Sequence, residues 1–249
     1  MRKLNPVTWA LLLLFVFLPL FGQEEASGPP SVTIQMAVIA GLSILPFAVM
    51  LFTSYLKMIV VLSLLRNALG IQQTPPNQVL NGIAIILTIY VMFPTGLAMY
   101  EAAEPTINKN APTELISADA AGYVVDVLDK AKEPLRKFME ANSSNQHMNS
   151  FYKMAYNIFP APYKSSLKPN NFIVLLPSFI TSQLKGAFEI AVMIYLPFFV
   201  IDLVTSNILL AMGMMMLSPL TIALPIKLLL LVMIDGWTVL MQGLVMTFR

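Results

Sequence analysis

The sequence predicts an all-α membrane protein built of proline-broken helical hairpins, with about four hydrophobic spans and a small, mainly helical soluble insert between spans two and three. Composition is the first reason. Of 249 residues 57% are hydrophobic and 11% charged, and the mean hydropathy is +0.73, a balance foreign to ordinary soluble domains. The second is where charge falls: residues 101–168 hold eight acidic and eight basic side chains, whereas 31–100 hold only Lys57 and Arg66. The third is that Pro46, Pro94, Pro177, Pro197 and Pro225 each interrupt an apolar run of spanning length.

Residues 1–22 open with Arg2 and Lys3, continue in an apolar run from Val7 to Phe21 and reach the small Gly22, the pattern of a secretory signal peptide. An uncleaved first anchor is the alternative. A polar linker occupies 23–32, and 33–100 form an N-terminal helical hairpin. Its first arm, 33–65, exceeds the roughly 20 residues that cross a bilayer and contains Pro46 and Lys57, so a kinked or broken helix is expected. Gly70 can end that helix, Pro75 and Pro76 forbid its continuation, and Asn77 is the candidate N-cap of a second helix, about 79–100, kinked at Pro94.

Residues 101–170 are the soluble insert. Helix-like spacing of Val124, Val125, Leu128, Leu135 and Phe138 predicts an amphipathic helix broken near Pro134. Residues 171–249 form C-terminal hairpins with interrupted spans near 173–207 and 220–247, joined by the methionine-rich stretch "AMGMMMLSP" at 211–219. With a cleaved signal, the mature N-terminus is exported and two spans return the chain to that side. The insert is then periplasmic, in a multi-pass protein of the bacterial inner membrane.

Several functions are excluded. A net charge of +2 and an electrically balanced insert leave no footprint for nucleic acid. The absence of cysteine removes disulfides, thiolate metal sites and Cys nucleophiles, and His147, the sole histidine, reads as a solvated loop residue in "SSNQHMNS". No GxGxxG, P-loop, HExxH or GxSxG occurs, so the reading is of a non-enzyme that needs no cofactor and no metal.

Lys57, Lys185, Glu189, Asp202, Lys227 and Asp235 fall within or at the edges of apolar segments. A charge at a helix centre costs about 2.5–3.5 kcal/mol on insertion scales, so each needs a partner or water. Lys185 and Glu189, four apart, share one helix face; Asp202, Lys227 and Asp235 have no local partner and call for contacts between helices or subunits. Structural pairing is favoured over a proton relay, because the acids are scattered between spans. Met212, Met214, Met215 and Met216 point several ways around a helix and have no Cys or His nearby to complete a copper site. Methionine's adaptability suits a deformable closure instead.

Three stretches carry a specific resemblance: "VVLSLLRNALGIQQTPPNQVLNGIAIILTIYVMFP", "LLPSFITSQLKGAFEIAVMIYLPFFVIDLV" and "SNILLAMGMMMLSPLTIALPIKLLLLVMIDGW". The chain thereby resembles the FliP/SctR family, export-gate proteins of bacterial type III secretion. The resemblance covers roughly 60–100 and 172–248; the insert and N-terminus do not carry it. It implies a non-catalytic, pore-forming subunit, with about five copies assembled beside FliQ/SctS-type and FliR/SctT-type subunits and an FlhB/SctU-type switch protein. It also implies contact with membrane lipid, passage of unfolded secreted proteins, and helices raised above the bilayer in the assembly. Met214, Met215 and Met216 match the family's pore gasket. Gln183 departs from an often acidic position, so no carboxylate role is carried over there. Ser218–Pro219, where flagellar members commonly have Pro-Pro, favours the injectisome branch over the flagellar one. The competing class is a proton-coupled small-molecule or metal transporter using Glu189, Asp202 and Asp235.

Overall fold

The computed structural model describes residues 32–71, 74–109, 118–214 and 216–248. The signal segment 1–22, all of the linker but Val32, insert residues 110–117 and Met215 lie outside the described residues. Among the described residues every regular element is helical: α1 (Val32–Phe52), α2 (Tyr55–Leu69), α3 (Asn77–Lys109), α4 (Ala118–Ala141), α5 (Asn145–Ile158), the single turn α6 (Ala161–Lys164), α7 (Phe172–Ala211), α8 (Pro219–Met233) and α9 (Gly236–Met246). The all-α expectation holds.

The breaks are not all where proline predicted them. The first arm breaks at Thr53–Ser54, with an 83° bend between Pro46–Phe52 and α2, while α1 continues through Pro46. The Thr53 hydroxyl donates to the Val49 carbonyl and accepts the Tyr55 N–H, a local alternative to the helical ladder. Gly70 ends α2 as expected, in the left-handed region at φ 77° with its N–H on the Asn67 carbonyl at 3.0 Å. The N-cap expectation at Asn77 is corrected by one residue: the Pro76 carbonyl receives the N–H groups of Val79 and Leu80, and the Asn77 amide oxygen accepts from Arg66.

Continuity is the larger correction. Helix α3 passes through Pro94 to Lys109, α4 passes through Pro134, and α7 runs 40 residues through Pro177 and Pro197, so the expected breaks at Pro134 and within 173–207 do not occur. A proline deletes one ladder bond but leaves the rest, and hydroxyls can supply extra donors nearby. Ser178 donates to Val174 O at 2.6 Å and Thr181 to Pro177 O at 2.8 Å.

By contact the chain divides into two compact units, residues 1–47 with 103–129, and 48–102 with 130–249. In the first, Ala103 is buried while Met36, Ile44 and Phe47 are exposed. The second holds the core. Helix α2 buries Met58, Val61, Leu62, Leu65, Ala68 and Leu69 at three- and four-residue spacing, one helical stripe, and packs most extensively on α7. Its upper half meets Leu80, Ala84, Ala187 and Leu244; its lower half meets Phe198 and Leu231. A further cluster joins Phe138 and Met139 of α4 to Leu175 and Phe179 of α7. Helix α5 also lies on α7, which is therefore the common support for α2, α5 and α8.

Among the described residues two helical stretches, Asn77–Ile107 and Phe172–Ala211, are long and apolar enough to cross a membrane; the bent pairs Pro46–Phe52 with α2, and α8 with α9, raise the number to four. At 1.5 Å per residue α7 is ~60 Å long, about twice the hydrocarbon thickness, so part of it extends beyond the bilayer core at any ordinary tilt.

The 64° bend between α8 and α9 is built on Asp235, at φ 46°, and Gly236. A Cβ on Gly236 would lie 2.6 Å from Leu231 Cδ1 and 3.1 Å from the Leu231 carbonyl oxygen. Gly236→Ala is expected to destabilise the fold by about 1–3 kcal/mol, the cost of forced overpacking. Thermal unfolding of the detergent-solubilised protein checks this; an unchanged midpoint contradicts the packing of this bend.

Candidate functional site

The methionine turn is the exposed tip of a helical hairpin. Helix α7 terminates by a paired hydrogen-bond closure: Gly213 N–H meets Leu210 O at 3.1 Å, and Met214 N–H meets Leu209 O at 3.0 Å. This is the Schellman arrangement, and it needs the left-handed conformation that Gly213 adopts at φ 71°. Helix α8 then starts with Ser218, extended, and Pro219 in its first turn. Pro219 thus opens the following helix, and seven residues, 212–218, make the connection. Met214 is 42% exposed and Met216 is fully exposed; Met212, the last residue before the glycine, is also exposed. Three bare methionines on a constrained turn have nothing of their own chain to fill.

An L side chain in the Gly213 conformation costs about 1–2 kcal/mol. Open space surrounds that position, so the penalty is conformational and not steric. Gly213→Ala is expected to loosen the turn and raise its cleavage by an added protease, with little change in the rest of the chain. Equal cleavage of both proteins would contradict the closure described.

Below the tip the two arms are locked by charge. Lys227 of α8 has a side chain only 2% exposed, and its Nζ donates to Asp202 Oδ2 of α7 at 2.7 Å and to the Ala68 carbonyl of α2 at 3.1 Å. That carbonyl lies in the last turn of α2, where helix carbonyls lack intrahelical donors and carry partial negative charge. One ammonium therefore ties three helices, ~15 Å below the methionine turn by helical rise. Sequence reasoning required an inter-helix partner for Asp202 and Lys227, and the structure supplies it; the Ala68 carbonyl carries no side-chain signal and was not foreseeable.

The other charges are placed separately. Lys185 and Glu189 pair at 3.7 Å on an exposed face of α7. Asp235, for which a contact between helices or subunits was expected, accepts the Thr238 Oγ1 proton at 2.9 Å within its own turn. Lys57 is buried and stands 4.1 Å from the Phe248 ring centroid, with Thr247 Oγ1 at 3.5 Å. Glu189 and Asp202 are separated by 13 residues of α7, ~20 Å of rise, and each of the three acids has a different partner. That arrangement supports pairing over a single proton path.

Two polar residues whose contacts the sequence did not announce fix the α4–α5 turn to α7. His147 lies in the first turn of α5, half-buried, and not in a solvated loop: its Nδ1 is 2.8 Å from Ser182 Oγ. Ser182 gives its proton to Ser178 O and also accepts the Ser144 N–H, so the imidazole donates from Nδ1. Gln183, 1% exposed, donates Nε2 to the Asn142 carbonyl at 2.7 Å.

Large apolar side chains along α7 and α8 remain uncovered, among them Met193, Leu196, Val200, Leu210, Leu229 and Val232. A surface of that kind needs lipid or protein against it.

Similarity to known proteins agrees with these features. A family model described as the FliP family matches residues 38–244. The chain is 44% identical over 216 residues to the hypersensitivity response secretion protein HrcR of Ralstonia nicotianae, covering 87% of this chain and 96% of that one. It is 45% identical over 207 residues to the virulence protein YscR of Salmonella typhimurium, covering 83% and 92%. Identity is also 45%, over 211 residues, to the Yop proteins translocation protein R of Yersinia pestis, covering 85% and 94%.

Proposed function

Because the chain belongs to the FliP family, in its injectisome branch, and is a component of a type III secretion export apparatus, we propose that several copies form the pore through which unfolded proteins leave across the inner membrane. The methionines of 214–216 from each copy meet at the centre and seal it when no substrate is present. The single observation that carries this reading is the tip itself: Met214 and Met216 stand exposed on a turn closed at Gly213 and held by the Lys227 tie. Flexible thioethers can repack around a passing chain and close again behind it.

In this reading the bare faces of α7 and α8 are covered by neighbouring copies, about five in all, by FliQ/SctS-type and FliR/SctT-type subunits, and by lipid. An FlhB/SctU-type switch protein docks on the assembly. The chain is multi-pass, residues 101–170 face the periplasm, and no catalytic step is assigned to it. Co-expression with the two small subunit types tests the assembly: a stable complex with several copies of this chain is expected, and recovery of monomers without the small subunits contradicts it.

A further inference from the structure

One polar pocket takes no part in the methionine turn or its charge tie. It has a volume of about 450 Å³ between α2, α7, the α4–α5 turn and the C-terminal end, and its polar lining includes Lys57, Lys185, His147, Ser144 and Asn142. Lys57 dominates it. The residue is only 7% exposed and projects past Gly186, where a Cβ would stand 3.5 Å from its Cε. Among the described residues Lys57 has no carboxylate within 4 Å; its contacts are the Phe248 ring and the distant Thr247 hydroxyl. Glu189, at the rim, is engaged with Lys185. Besides His147, the pocket is lined by two ammonium groups and one carboxylate, and an ammonium buried as deeply as Lys57, with no carboxylate beside it among the described residues, is costly.

The surroundings suit an anion that carries an apolar body. The pocket is lined by polar residues of the 142–147 turn and by Ser182, Lys185 and Glu189 of α7, and along the same helix Phe188, Val192, Met193, Leu196 and Val200 are exposed. A polar, cationic pocket on a helix that also carries exposed apolar side chains has the layout of a headgroup site beside an acyl-chain track.

We propose that this pocket binds the phosphate group of an anionic phospholipid, with Lys57 as the buried contact, Lys185 at the rim and the acyl chains along α7. Lys57 takes one phosphate oxygen, and the Ser144 hydroxyl lines the same pocket. The proposal depends on membrane contact, and not on the pore reading.

The test titrates the purified chain, in a zwitterionic detergent, with short-chain phosphatidylglycerol, with phosphatidylcholine of the same chain length, and with inorganic phosphate, following the thermal midpoint and native mass spectra. Phosphatidylglycerol is expected to bind and raise the midpoint, with phosphatidylcholine weaker. Lys57→Met, which is closest in shape, should weaken phosphatidylglycerol at least about tenfold, the loss of one charge-assisted contact. Lys57→Arg should retain most of it. Equal binding by wild type and Lys57→Met, or no preference over phosphatidylcholine, overturns the site. Inorganic phosphate as effective as the lipid overturns the lipid as occupant. If Lys57→Met fails to fold, the Lys185→Gln variant, exposed and on the rim, must show a smaller loss in the same direction, and an unchanged affinity again overturns the proposal.

Discussion

Asp202→Ala is expected to cost about 3–5 kcal/mol and to abolish assembly, because it strands an ammonium whose side chain is 2% exposed. Lys227→Met should cost less, although it removes the more buried member. Asp202 is 35% exposed and can recover water, and the thioether fills most of the vacated volume. Only Lys227→Met takes the donor from the Ala68 carbonyl, which adds about 1 kcal/mol for an unmet hydrogen bond to that variant. Stability in detergent and recovery of the oligomer by size separation check this order. Normal assembly of Asp202→Ala with lost secretion would instead favour proton transfer through that carboxylate. The double variant Asp202→Leu with Lys227→Met should be milder than Asp202→Ala alone, since no charge is left buried.

Replacing Met214, Met215 and Met216 together with Ala is expected to leave assembly intact and to make the closed complex leaky to small ions, while protein export persists. Met214 and Met216, the described members, lie outside the packed clusters of α2, α7 and α8 and are exposed, so their removal costs the fold little. What is lost is the compliant volume at the tip, repeated in every copy. Conductance across vesicles carrying the complex is the measurement. Wild-type tightness in the triple variant would remove the sealing role from these residues.

Much of this was legible in the sequence wherever the cause is local. Gly70 and Gly213 end helices because both adopt positive φ, and the Lys185–Glu189 pair follows from four-residue spacing. Proline misled in the other direction: α4 and α7 pass through Pro134, Pro177 and Pro197, since one missing bond does not outweigh packing against neighbours. The break at Thr53–Ser54 had no proline or glycine to announce it and rests on one hydroxyl competing with the ladder. His147 was hidden by composition. Its polar neighbours suggested a loop, whereas its partner Ser182 is 35 residues away on another helix. The Asp202–Lys227 pair was foreseeable as a need for partners, but the Ala68 carbonyl that completes it could come only from the fold.

The central claim is that methionine turns of several copies converge on one point. The chain has no cysteine, so Met216→Cys introduces a single thiol at the fully exposed position of the turn. A disulfide needs Cα atoms about 4.4–6.8 Å apart, which only convergent turns provide. Mild oxidation of the assembled complex is expected to yield covalent dimers of this chain through residue 216, and none through Met233→Cys, exposed on the far end of α8. Dimers at 233 with only monomers at 216 would contradict the account.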